Sequence, residues 1–138
     1  MKVTLDVNVL ISGTFWTGDP FRILDKIDKK EIKSVTSKEI IKEYNEVINS
    51  DEIIGKIENK KLILLNVVQK VIINSEIVEP KVRLNIVNED KDDNKILECA
   101  KEGKVDYIIT QDKHLLKLGS FENIGILKPD EFLSKIKE

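Results

Sequence analysis

Short β-branched runs alternate with longer stretches of helical periodicity along this chain, and that alternation limits the folds open to it more than any other feature. The runs at Lys2–Leu5, Ile32–Val35, Glu76–Val78, Tyr107–Thr110 and Ile124–Leu127 read as strands. Between them, Asp19-Pro20 reads as an N-cap with proline at the first helical position, opening a helix through Phe21, Leu24 and Ile27. Thr36-Ser37-Lys38-Glu39 reads as a capping box ahead of a stripe of Ile40, Ile41, Tyr44, Val47 and Ile48. Asp51 to Ile73 is helical in pattern, with Gly55 expected to break it into a short and a longer helix. After Pro80, Lys81 to Lys91 is polar and irregular, the expected mobile loop. Asp92-Asp93-Asn94 opens a helix carrying Ile96, Leu97 and Ala100 and ended by Gly103, and a last helix follows Pro129 through Phe132, Leu133 and Ile136. Strands separated by helices imply a parallel sheet covered on both faces, an α/β fold.

The 138 residues fit one domain spanning 1–138, and an apolar fraction of 41% suffices for one core. The net charge of -2 provides no global basic field, so a polyanion would be held by local lysines and bound cations. Lysines around Asp28 to Lys33 and Asn59 to Lys61 are candidates for that contact, although the acids among them also suit a solvated surface. Cys99 is the only cysteine, which excludes an internal disulfide and a thiolate metal site; it reads as a small buried hydrophobe. No stretch approaches about 18 consecutive apolar residues, and the N-terminus opens directly into a strand, so a cytoplasmic protein with no membrane partner is expected.

Four acids stand at strand ends or beside apolar helix stripes: Asp6, Glu43, Asp93 and Asp112. Asp6 and Asp112 follow the first and fourth strands, on the rim where open α/β sheets bind ligands. Glu43 falls about 40° beyond Val47, at the border of its helix's core-facing stripe. Asp93 lies three and four residues before Ile96 and Leu97 and shares their inward face, whereas Asp92 points further outward. Each acid also has an ordinary structural use. Asp6, Asp93 and Asp112 can cap helices or face a helix dipole, and Glu43 can pair with a lysine. His114, the sole histidine, reads as a surface or partly packed residue.

Together the four acids form a set of hard oxygen ligands without His or Cys, which suits Mg²⁺ or Mn²⁺ rather than zinc. Carboxylate-held divalent ions recur in phosphodiester hydrolysis and need no nucleophilic side chain. The chain has no G-x-S-x-G motif, Cys/His pair or Gly-rich phosphate loop.

Five segments in order carry a family resemblance: Leu5 to Ser12, Thr36 to Tyr44, Asp93 to Ala100, Val105 to Asp112, and Ile126 to Leu133. With them the chain resembles PIN domains, in particular VapC-like toxin components of toxin-antitoxin systems. The resemblance implies a three-layer α/β/α sandwich around a parallel sheet of about five strands in the order 3-2-1-4-5. It implies a catalytic and metal-binding tetrad of Asp6, Glu43, Asp93 and Asp112, with Asn8, Ser12 and Thr110 in support. The implied activity is Mg²⁺- or Mn²⁺-dependent endonucleolytic cleavage of RNA, by the toxin of a toxin-antitoxin pair. The implied partners are an antitoxin protein and a second copy of the chain, the latter through helices of the first half, where Phe15 and Trp16 form an aromatic pair that could equally close the core. Two departures stand out. Related sequences commonly carry a proline in the acidic turn where this chain has Glu89-Asp90-Lys91-Asp92-Asp93, which leaves open a share in the metal for Asp90 or Asp92. Gln111 stands where glycine or arginine is frequent.

The alternative within the same fold is a catalytically weak RNA-binding or protein-interaction module. Receiver and dehalogenase-type phosphoryl-transfer folds fit poorly. The dehalogenase motif needs an acid where Asn8 stands, and a receiver needs an aspartate after its third strand, where Val78-Glu79-Pro80 has only a glutamate.

Overall fold

A computed structural model describes residues 1–15, 18–50, 62–88 and 92–137, with backbone alone at 15, 62–65 and 67. The chain runs β1 (Lys2–Leu5), α1 (Val7–Phe15), α2 (Asp19–Asp28), β2 (Lys33–Ser37), α3 (Lys38–Ile48), α4 (Leu62–Asn74) and β3 (Glu76–Val78). It continues through α5 (Asp92–Gly103), β4 (Tyr107–Ile109), α6 (Lys113–Leu116), β5 (Ser120–Phe121), β6 (Ile124–Leu127) and α7 (Pro129–Ile136). The helical break expected at Gly55 lies outside the described residues.

The sheet order is β3-β2-β1-β4-β6-β5, parallel throughout except where β5 pairs antiparallel with β6. The five expected strands therefore take the expected order, with Ile124–Leu127 in fifth place. The sixth, β5, joins β6 through a two-residue turn whose central residues, Glu122 and Asn123, both have positive φ, 46° and 70°.

Side-chain alternation along the strands sorts the helices onto two faces. On one face Thr4 Oγ1 donates to the Val35 carbonyl at 3.1 Å and lies 3.9 Å from Cys99 Sγ of α5. Gly103 brings the end of α5 so close to the sheet that a β-carbon there would run into Val35 Cγ1. On the other face Leu5, Ser34 and Thr36 meet Leu10 of α1 and Val71 and Ile72 of α4. Helix α2 packs on α1 and α4, and α7 packs on α2 and sets Phe132 edge-on to Tyr107, ring centroids 5.8 Å apart. The result is a three-layer α/β/α sandwich whose core includes Val3, Val35, Ile108 and Ile109, all 0% exposed. Cys99 is buried as expected. Among the described residues no helix is long and apolar enough to cross a membrane.

Three local expectations are corrected. Thr36 is not the capping residue, because β2 extends through Ser37; Ser37 Oγ accepts the Ile40 N–H at 3.4 Å and the Thr36–Glu39 box does not form. Asp19 is the first residue of α2 rather than its cap, the cap position being Gly18. The segment from Lys81 is irregular but not loose. Its backbone is fastened along α5 as far as Val87, while Glu89 to Lys91 lie outside the described residues.

Candidate metal centre

Strand order reverses between β1 and β4, and both strands end at one rim of the sheet. Backbone pairing runs one residue past each strand: Asp6 N–H donates to the Ile109 carbonyl and Thr110 N–H to that of Leu127, both at 3.0 Å. This sets Asp6 beside Thr110, whose Oγ1 donates to Asp6 Oδ2 at 2.6 Å and accepts the Asp112 N–H at 2.9 Å. One buried hydroxyl thus ties two of the acids together.

Asp112 also serves as the N-cap of α6, its Oδ1 accepting the N–H groups of His114 at 2.7 Å and Leu115 at 3.3 Å. Capping and cleft-facing roles are compatible, since a carboxylate has two oxygens and several acceptor sites. His114 is half-buried, as expected.

Asp6 and Asp93 are each 5% exposed, and Glu43 and Asp112 are half-buried. The four come from four separate segments and line one cleft of about 200 Å³, together with Val7, Asn8, Val47 and Asp92. Ser12, farther along α1, is not among the lining residues, and Thr110 stands behind Asp6 rather than in the cleft. Asp90 lies outside the described residues, as do Trp16, the side chain of Phe15 and Asn59 to Lys61.

Crowded acids make the cleft electrostatically uncomfortable. Burial raises the Asp6 pKa, partly opposed by the Thr110 hydrogen bond and reinforced by the charge of Asp112. Glu43 is pushed up to about 7, first by burial, then by the charge of Asp92 and a hydrogen bond with it; Lys95 opposes this and Asp6 adds to it. Asp92 is therefore part of the site, although its own side chain is exposed and pairs with Lys95 at 3.1 Å. Its sequence signal was the doubled Asp92-Asp93, and an outward helical angle did not prevent contact with Glu43 on the neighbouring α3. A second cavity of about 230 Å³ shares Glu43 and Asp92 and adds Glu39, Lys42, Glu46 and Lys95.

Lys33 begins β2, at the end of the strands away from the acids, and pairs with Glu76 at 3.3 Å; Lys29 pairs with Asp25 at 2.8 Å. That lysine group is not brought to the cleft. Among the described residues, Lys42 and Lys95 line the cavity beside Glu43 and Asp92.

The donor set consists of carboxylates whose mutual repulsion a divalent cation relieves, so the residues fit Mg²⁺ or Mn²⁺. Among the described residues no group of three or more His, Cys, Asp or Glu side chains is placed to hold a metal ion. Mg²⁺ does not require such a group, since one or two carboxylates with several retained waters can hold it.

A family profile described as "PIN domain" matches residues 2–114, a span that includes all four acids and Thr110. The chain belongs to the PIN-domain family. Membership supports a nuclease in general, and PIN domains are generally dependent on divalent metal. No curated protein sequence matches the chain. Among solved structures it is similar to a chain in the crystal structure of VapBC2 from Rickettsia felis bound to a DNA fragment from their promoter. The identity is 15% and the TM-score 0.56, with 91% of this chain and 97% of that chain covered. At that identity the likeness is one of fold, and it extends over nearly the whole PIN domain described here.

Proposed function

We propose that this PIN domain is a divalent-metal-dependent endoribonuclease and the toxin of a toxin-antitoxin pair. The observation that carries the reading is the gathering of Asp6, Glu43, Asp93 and Asp112 from four separate segments into one cleft at the strand switch point. The fold likeness to a chain of a VapBC2 structure supports an antitoxin partner, and a homodimer and an RNA substrate belong to the same proposal.

In this reading the four carboxylates hold Mg²⁺ or Mn²⁺, which when bound lowers the pKa of the attacking water and neutralises charge on the scissile phosphate. The chain's own residues prepare the site. Thr110 fixes the Asp6 carboxylate through one hydrogen bond and the Asp112 backbone through another. Glu43 and Asp92 share a hydrogen bond, which requires a proton on one of the two carboxyl groups, and a bound cation would offset their like charges in place of that proton. Asn8 is exposed at the cleft and is suited to orienting water or substrate.

The test is cleavage of labelled single-stranded and hairpin RNA by purified protein with Mn²⁺, Mg²⁺ or EDTA, beside Asp6→Asn and Asp93→Asn preparations. Metal-dependent cutting lost in both variants is expected. Cutting that survives EDTA or both substitutions overturns the reading. Metal binding without cutting of any RNA favours the binding-module alternative, for which the relevant observation is that, among the described residues, no three His, Cys, Asp or Glu side chains are placed to hold a metal ion.

A further inference from the structure

We propose that Asn94 is a positioning residue for Asp93, acting by clamping the irregular segment before α5 onto that helix; the proposal rests on the metal-centre reading above. Residues 79–88 form no helix or strand, so their backbone N–H groups need acceptors from elsewhere. Helix α5 supplies them from one face, at positions four apart. Asn94 Oδ1 accepts from both Ile86 N–H and Val87 N–H at 2.9 Å, and its Nδ2 donates to the Val87 carbonyl at 2.9 Å. One turn on, Glu98 Oε2 accepts from Leu84 N–H at 2.8 Å and Oε1 from Arg83 Nη1 at 3.4 Å. A further turn on, Glu102 Oε1 accepts from Lys81 N–H at 3.1 Å. Segment numbers fall as helix numbers rise, so the segment lies antiparallel to α5.

Asn94 differs from the two glutamates in chemistry and in place. It is 4% exposed and both accepts and donates to the same dipeptide, which neither a carboxylate nor an apolar side chain can do. Its bonds to Val87 hold the residue directly after Asp93, in the first turn of α5. Val87 is itself 3% exposed and packed in the hydrophobic core, so these bonds have a fixed anchor. They therefore fix the first turn of α5 on that anchor, and with it the position of Asp93 against the cleft. Glu98 holds the same segment one turn farther from the acids.

Calorimetric titration of the full chain with Mn²⁺ tests this on Asn94→Ala, Asn94→Ser and Glu98→Ala, with hydrogen exchange at Ile86, Val87 and Leu84 to show which amides each change releases. The serine variant serves where alanine prevents folding, since its short hydroxyl cannot span both amides. Asn94 substitution is expected to weaken Mn²⁺ binding about tenfold, whereas Glu98→Ala frees Leu84 and leaves the affinity within about twofold. RNA cleavage should show kcat reduced and KM unchanged for the Asn94 variants. The proposal is overturned if Mn²⁺ affinity is unchanged although Ile86 and Val87 exchange freely, or if Glu98→Ala weakens binding equally. An unaltered protein that binds no Mn²⁺ overturns the metal-centre reading itself.

Discussion

Thr110 and Asp6 are 104 positions apart in sequence and 2.6 Å apart in space, joined by a hydrogen bond from hydroxyl to carboxylate across the β1–β4 switch point. The same hydroxyl accepts the Asp112 N–H, so Thr110→Val leaves a buried carboxylate and a backbone donor each short of a partner. The expected loss of stability is about 1–3 kcal/mol by denaturant unfolding, with a drop in metal-dependent activity of about 10–100-fold. Thr110→Ser should retain most of both.

Stability without metal should fall as pH rises. An acid whose pKa is raised in the folded state binds more protons folded than unfolded, so ∂ΔG/∂pH is negative between its unfolded and folded values. For Glu43 that window runs from 4.5 to about 7, and raised Asp6 contributes in the same sense. In EDTA the Tm should therefore decline across this range and level off above it. Glu43→Gln should flatten the decline, and millimolar Mg²⁺ or Mn²⁺ should reverse it by binding the ionised cluster. A Tm that climbs steadily from pH 5 to 7 in EDTA contradicts the electrostatic account.

The positions of the acids were legible in the sequence because each sits at a boundary that local rules mark. Asp6 and Asp112 end β-branched runs, Asp93 opens a helix, and Glu43 borders a stripe. What was left open or escaped was decided by tertiary contact. Asp92, whose share in the site the acidic turn left open, faces outward from its own helix yet meets Glu43 on another. Lys81 to Val87 looked loose because the acceptors for its N–H groups, Asn94, Glu98 and Glu102, come later in the chain and are aligned only once α5 forms. Strand β5 was missed because Glu122-Asn123 lacks the glycine that usually marks a turn with two positive φ values. Ser12 was assigned to the site from family resemblance; it lies one turn beyond Asn8 on α1 and is not among the residues lining the cleft.

Gly103→Ala tests the close approach of α5 to the sheet. Alanine is the better helix former by up to about 1 kcal/mol, but its methyl meets Val35, which is 0% exposed and has no room to yield. Net destabilisation of about 1–2 kcal/mol is expected in urea unfolding. A stabilised variant would show that the helix end shifts freely.

Cys99 should report opening of this interface. Burial pushes its thiol up to about 12, and it is 0% exposed between α5 and the sheet. Thiol reagents at pH 8 should label it at the rate of global unfolding, tracking denaturant as stability does. Rapid labelling of native protein would contradict the packing of α5.

The central claim is that the four acids act as one metal centre rather than as four separate caps and pairs, and Asp112 separates these most sharply. Asn caps helices as well as Asp does, so Asp112→Asn should keep the bonds to His114 and Leu115 while removing the charge from the cleft. The decisive measurement is the Mn²⁺-dependent RNA cleavage rate of Asp112→Asn beside its Tm. The account predicts a Tm in EDTA no lower than that of the unaltered protein, since the change removes one like charge from the cleft, and cleavage reduced about 100-fold. Undiminished cleavage in a variant of unchanged stability would make Asp112 a helix cap alone and contradict the metal centre as described.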